Sequence, residues 1–218
     1  DITNFRVIRL PEVNLKDSSI CGDKGKVDLK QLTLAPTNIA PGTWKWSSTN
    51  TTASAALEGS GSATIFNLAS VTQGQTYPLC LQVTNLFGCP NTSCLDITVR
   101  NVPIVEAGFL SPMCENDTLV HLATAQGLNP MGGTWQSASG GIVNTDWFDP
   151  SLVTAGLQHK LIYTYDIPGN NCPVSDSLLL SVKTRPTVVL TPPADICASA
   201  GTYDLMTAVD LKGGIWTG

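Results

Sequence analysis

Met131-Gly132-Gly133-Thr134-Trp135 decides the fold, because it returns as Pro41-Gly42-Thr43-Trp44 and as Lys212-Gly213-Gly214-Ile215-Trp216. Each copy follows a cysteine by roughly two dozen residues: Cys21 before Trp44, Cys114 before Trp135, Cys197 before Trp216. Glycines end a turn, a large aromatic follows, and the flanking residues alternate with period two, the pattern of a strand entering the core of a small β-sandwich. Trp44, Trp135 and Trp216 are expected to be central core residues, each facing a disulfide between two sheets. The alternative for each is an exposed platform on which a sugar ring stacks.

The junctions repeat as well. Phe5-Arg6-Val7-Ile8-Arg9-Leu10 leads into Pro11, Val99 to Val102 into Pro103, and Val182 to Arg185 into Pro186. The spacings 103 − 11 = 92 and 186 − 103 = 83 fit immunoglobulin-like domains of about 100 residues. The expected organisation is residues 1–10 as the last strand of a preceding repeat, 11–102 and 103–185 as two complete repeats, and 186–218 as the truncated start of a third. That start is completed either by residues beyond it or by another chain. The fold class is all-β: tandem immunoglobulin-like antiparallel sandwiches joined head to tail by short proline-containing links.

Composition agrees with short strands and turns. Of 218 residues, 42% are hydrophobic and 13% charged, which supports buried cores and excludes a disordered polar tract. Glycine (19) and proline (14) are frequent, and no long stretch has helical periodicity. A net charge of −5 with scattered basic residues argues against nucleic acid and against anionic lipid surfaces. No apolar run reaches the ~20 residues of a membrane span.

Alternation places Tyr77, Leu79, Leu81 and Val83 on one face of a strand and Leu95, Ile97 and Val99 on one face of the next. Cys80 and Cys94 then point outward on neighbouring antiparallel strands, where they can bridge each other. Cys89-Pro90 and Cys172-Pro173 recur at 172 − 89 = 83, so the expected remaining pairs are Cys21 with Cys89 and Cys114 with Cys172. Seven cysteines beside two histidines, with no Cys-x-x-Cys, favour disulfides in an oxidising compartment over metal. Each such loop closure would stabilise a sandwich by about 4 kcal/mol.

The second repeat resembles the β-sandwich repeats of very large surface proteins of the Bacteroidota. The residues that carry the resemblance are Cys114, Gly132-Gly133-Thr134-Trp135, Phe148, Pro150, Ala155-Gly156, Tyr163, Tyr165 and Cys172. The first repeat departs from the pattern, with one glycine before Trp44 and the added Cys80/Cys94 pair. Such repeats, described as PKD-like or immunoglobulin-like, are similar to those of SprB-type gliding-motility adhesins exported by type IX secretion. The resemblance implies a non-catalytic filament or stalk on the cell surface, attached to the outer membrane. Its implied partners are neighbouring repeats of the same chain, surface glycans and other cell-surface proteins.

No catalytic constellation stands out. His121 and His159 lie in separate candidate strands with no recurring serine or acidic partner, and are read as satisfied strand histidines. Glu115, Asp117, Asp146, Asp149, Asp166 and Asp176 could collect into a Ca²⁺ site at a sandwich end, although no Asp-x-Asp-x-Asp spacing appears. No other cofactor is expected. Asp117-Thr118-Leu119 and Asp176-Ser177-Leu178 resemble the Asp-Ser/Thr-aliphatic signal for O-glycosylation in Bacteroidota, making Thr118 and Ser177 candidate sugar carriers. The rival to the adhesin reading is a spacer or carbohydrate-binding module of a secreted polysaccharide-degrading enzyme.

Overall fold

The structure is a computed structural model that describes residues 6–191, 194–211 and 213–217. The first copy contains β1 (Glu12–Leu15), β2 (Ser18–Cys21), β3 (Lys26–Asp28), β4 (Thr33–Thr37), β5 (Lys45–Ser47), a short helix α1 (Thr51–Ala55), β6 (Leu57–Glu58), β7 (Ile65–Asn67), β8 (Gln75–Thr84) and β9 (Pro90–Arg100). The second contains β10 (Met113–Cys114), β11 (Val120–His121), β12 (Thr134–Ser137), β13 (Ile142–Val143), β14 (Trp147–Phe148), β15 (Leu157–Tyr165) and β16 (Val174–Lys183).

A four-stranded and a three-stranded sheet recur in the same order in both copies, and the first copy adds a two-stranded β1-β4 sheet. β2-β9-β8-β5 and β3-β7-β6 in the first copy correspond, element for element, to β10-β16-β15-β12 and β11-β14-β13 in the second. This is an all-β chain of tandem immunoglobulin-like sandwiches. One detail departs from a purely antiparallel reading: β2 runs parallel to β9 and β10 parallel to β16. The cause is the path of the chain. It enters the first copy beside the start of β9, where Asn91 Nδ2 donates to Pro11 O (2.8 Å), and leaves from the far end of the same strand.

Packing divides the molecule into two compact units. The first runs to Ala107 and takes in Leu128–Thr134 and Tyr163–Asp176; the second comprises Gly108–Gly127, Trp135–Ile162 and the chain from Ser177 onward. In the first unit the alternating residues Tyr77, Leu79, Leu81 and Val83 of β8 and Leu95, Ile97 and Val99 of β9 are buried with Leu29, Phe66 and Leu68. Burial of such side chains stabilises by roughly 1.5–3 kcal/mol each. In the second, Leu122, Phe148, Leu161, Leu180 and Val182 are almost fully buried.

The tryptophans separate. Trp135 on β12 is buried at 6% exposure. In the first copy the buried residue is Trp46, opposite Leu81 on β8, whereas Trp44 precedes β5 and is only partly buried against the margin of the core. Trp44 is therefore not the central core residue: Trp46 and Trp135 hold the equivalent strand position, and the first copy's motif is displaced by two residues. Two is the period of a strand, so both tryptophans keep the same face. Trp216 is 42% exposed and lines an open groove with Pro186, Val188, Met206, Val209 and Leu211, not a closed core. Residues 6–10 form no strand, and residues 1–5 of the expected first segment lie outside the described residues.

The two glycines of the Gly-Gly-Thr-Trp motif have different reasons. Gly132 takes φ +91°, a left-handed turn conformation. Gly133 lies under Tyr163: its N–H donates to Tyr163 Oη (2.7 Å), which in turn donates to Pro130 O (2.6 Å). A Cβ there would fall 2.4 Å from Thr164 O and 2.6 Å from Tyr163 Cζ. In the first copy, where a single glycine precedes Trp44, Thr43 Oγ1 donates to Ala40 O (2.8 Å) and accepts from Thr84 N (3.2 Å).

Candidate functional site

The cysteines fall into two structural types. Cys21 ends β2 opposite Arg100 at the last residue of β9, and Cys114 ends β10 opposite Lys183 at the last residue of β16. Matching backbone bonds follow: Gly22 N to Arg100 O and Glu115 N to Lys183 O, each 3.0 Å. These are edge cysteines. Cys89 and Cys172 lie instead in the loops that precede β9 and β16, where each backbone N–H donates 2.9 Å to the side chain of the residue following the previous strand, Asn85 or Asp166.

Cys80 and Cys94 are directly opposite on β8 and β9 and are bonded, with Cα atoms 4.0 Å apart. The other bridge joins Cys21 to Cys172, with Cα atoms 5.6 Å apart, and Cys89 and Cys114 are free thiols. This corrects the expected pairs Cys21–Cys89 and Cys114–Cys172. Within a copy the two types sit at opposite ends of the last strand. Cys89 precedes Pro90, and Cys21 lies beside Arg100, ten residues on. At about 3.3 Å per residue that is roughly 33 Å, against the ~7 Å Cα separation a disulfide tolerates. Sequence spacing gives the interval between equivalent cysteines but not the end of the sandwich on which each one sits.

The observed bridge is surrounded by polar contacts. Arg100 Nη1 donates to Asn170 O (2.6 Å) and Nη2 to Ser19 O (3.3 Å), and Asn170 Nδ2 donates to Asn101 O. The guanidinium on backbone carbonyls thus fastens loop 170–172 to the end of β9, and the covalent bond fastens it to the end of the neighbouring β2. No motif signals Arg100, because the interaction is with main chain.

A second candidate surrounds His121. Each copy has a residue seven positions after its edge cysteine that precedes a 3-10 turn: 28 − 21, 121 − 114 and 204 − 197 all equal 7. Asp28 and Asp204 cap their turns by accepting from Lys30 N and Met206 N; His121 makes no such cap. Its Nε2 instead meets Asp146 Oδ2 at 2.7 Å, and its ring stacks on Trp147 with centroids 4.7 Å apart and planes 18° apart. Trp147 is 36% exposed. Asp146 is presented by a turn in which Asn144 and Thr145 both adopt positive φ. Trp, Asp and His together form a polar aromatic surface of the kind that contacts a sugar ring and its hydroxyls.

His159, by contrast, is buried. Its Nε2 donates to Thr154 O (2.9 Å), which only accepts, and its Nδ1 is hydrogen-bonded with Ser139 Oγ (3.0 Å).

The six acids considered for calcium are each engaged in a local contact. Glu115 accepts from Arg185 N, Asp117 from Cys114 N, Asp149 from Ser151 N, Asp166 from Cys172 N and Asp176 from Ala107 N, while Asp146 meets His121. Among the described residues no three His, Cys, Asp or Glu side chains gather as a metal site. Thr118 is exposed in the loop before β11, and Ser177 is exposed on β16 beside buried Leu178. Among the described residues no helix is long and apolar enough to cross a membrane.

No family model and no curated protein matches the chain. Among solved structures it is similar to extracellular domains 3–5 of Drosophila OTK (14% identity, TM-score 0.38, 79% of this chain and 62% of that one). It is similar also to a SusE-like surface-located polysaccharide-binding protein from the Bacteroides thetaiotaomicron heparin utilisation locus (11%, TM-score 0.39, 82% and 35%). A third is the Bacteroides ovatus mixed-linkage glucan utilisation locus protein SGBP-B (10%, TM-score 0.27, 79% and 47%). The chain spans less than two thirds of the length of each. All three likenesses are distant.

Proposed function

We propose that this chain is a non-catalytic segment of an extracellular filament or stalk, built from copies spanning 11–102, 103–185 and the start of another at 186–218, that serves adhesion at the cell surface. The observation that carries this reading is the Cys21–Cys172 bridge with its Arg100–Asn170 contact, which ties the paired ends of β2 and β9 in one copy to a loop of the next. A covalent tie across a short proline junction restricts bending and keeps load off the link. Its test is single-molecule extension of the chain with and without reductant. The reading expects contour length held back by the 151-residue separation of the bridged cysteines to be released only after reduction. Equal extension in both conditions overturns it.

The resemblance of the second copy to SprB-type repeats extends the proposal to gliding motility, type IX export and attachment at the outer membrane. Its partners would be neighbouring repeats, surface glycans and other surface proteins. Exposed Thr118 and Ser177 suit O-glycosylation, since a sugar requires an outward hydroxyl. An antibody against the chain should label intact source cells, and cells lacking it should lose surface gliding. Unimpaired gliding removes the motility part, and no labelling removes the surface location.

A second reading, carbohydrate recognition, is favoured by the exposed Trp147 stacked on His121 beside Asp146. Glycan-array binding that disappears in Trp147→Ala supports it; an array without signal removes it.

A further inference from the structure

We infer that disulfide bonding in this protein is serial: the edge cysteine of each copy bonds the loop cysteine of the copy that follows. Cys114 is then the attachment point for a following copy and Cys89 the attachment point for a preceding one. The inference depends on the repeat geometry and is independent of any adhesive ligand.

Three observations carry it. First, the only bond between an edge and a loop cysteine among the described residues, Cys21–Cys172, joins the two types across copies, and strand length forbids it within a copy. Second, Cys114 reproduces the setting of Cys21: parallel pairing opposite the terminal cation of the last strand, a backbone bond from the next residue to that cation's carbonyl, and a turn closed three residues on. The turn bonds are Lys24 N to Cys21 O (3.2 Å) and Asp117 N to Cys114 O (3.1 Å). Cys197 has the same turn, with Ala200 N donating to its carbonyl at 2.9 Å.

Third, the chain arrives at Cys89 as it arrives at Cys172. Two residues before the junction proline, the carbonyl of Asn101 accepts from Asn170 Nδ2 in the Cys172 loop, and the carbonyl of Arg9 accepts from Asn85 Nδ2 in the Cys89 loop at 2.8 Å. Arg9 also accepts from Asn38 Nδ2 (3.0 Å), and the Arg6 guanidinium lies 5.1 Å from the Phe87 ring centroid. The link that carries Arg100 and the end of β9 to the Cys172 loop has its counterpart in residues 6–11 at the Cys89 loop. A preceding edge cysteine would be delivered there in the same way.

The chemistry is thiol–disulfide exchange with an external disulfide, a glutathione-type or protein oxidant. The Cys114 thiolate attacks one sulfur of the oxidant and expels a thiolate. A loop thiolate of the neighbouring copy then attacks the Cys114 sulfur of the mixed disulfide and expels the second. One S–S bond forms, the oxidant's S–S bond is reduced, and two protons end on its two thiols.

The test is peptide mapping without reduction, on the 218-residue chain equilibrated in a glutathione redox buffer and alkylated before digestion. The parent should show alkylation at Cys89, Cys114 and Cys197, and Cys21→Ser should add Cys172 to these. Cys172→Ser should likewise leave Cys21 alkylated, with the Cys80–Cys94 peptide intact in both variants as the report of folding. A Cys114–Cys172 peptide in Cys21→Ser, or a Cys21–Cys89 peptide in Cys172→Ser, overturns the inference. Mixing ¹⁵N-labelled with unlabelled parent at high concentration lets a second molecule act as the adjacent copy. Mixed-isotope bridges should then join Cys89 of one molecule to Cys114 or Cys197 of another. Bridges of like with like, or no mixed-isotope bridge, also overturn it.

Discussion

Replacing Gly133 by alanine tests why the motif carries two glycines. The new Cβ would lie 2.4 Å from Thr164 O, a backbone atom that cannot swing away, and 2.6–2.7 Å from Cζ and Oη of Tyr163. Tyr163 is 1% exposed, so its ring has no open space to move into. Overpacking of this kind costs about 1–3 kcal/mol. Displacing the phenol also breaks its bonds to Gly133 N and Pro130 O, each worth about 1 kcal/mol net and more when a buried group is left unsatisfied. The expected loss is about 3 kcal/mol, which at a urea slope of about 2 kcal/mol/M moves the midpoint by roughly 1.5 M. Gly132→Ala is the control. Its Cβ meets nothing within 4 Å, so only the left-handed φ of +91° resists it, at about 1–2 kcal/mol. Urea titration of both variants, followed by tryptophan fluorescence, makes the comparison. A Gly133→Ala variant no less stable than Gly132→Ala would refute the account of the motif.

The exchange of roles between the two first-copy tryptophans predicts a loss of about 3–5 kcal/mol for Trp46→Ala and less than half of that for Trp44→Ala, read by the same titration. Equal losses would restore Trp44 to the core. Replacing Cys80 and Cys94 together by serine removes a loop closure of about 15 residues and should cost about 3 kcal/mol, measured with the Cys21–Cys172 bridge intact. Glu58 has its carboxyl held below the usual carboxylate range by the Lys26 ammonium bonded at 2.7 Å, with Asn67 Nδ2 donating to its other oxygen. A depressed carboxylate contributes stability above its unfolded value and loses it as pH falls through the folded one. Glu58→Gln should therefore lower the urea midpoint at neutral pH and match the parent in acid below both values; a pH-independent difference would show that the charge is irrelevant.

Much of the architecture can be read along the chain because it depends on local alternation. The inward faces of β8 and β9 follow from Tyr77, Leu79, Leu81, Val83, Leu95, Ile97 and Val99, whose period of two admits one buried side. The outward placement of Cys80 and Cys94 follows from the same parity, and register then sets them opposite each other. The recurring glycine-then-tryptophan motif and the recurring prolines likewise report serial copies.

Tertiary structure decided what parity and spacing leave open. Trp44 and Trp46 share a parity, so only the pairing of Trp46 with Leu81 selects the core residue. His121 reads as an ordinary strand histidine until the fold brings Asp146 and Trp147 against it. Above all, equal intervals between cysteines carry no direction. The parallel pairing of β2 with β9 puts Cys21 at the exit of its copy while Cys89 stays at the entrance, and that separation sends the bond to Cys172.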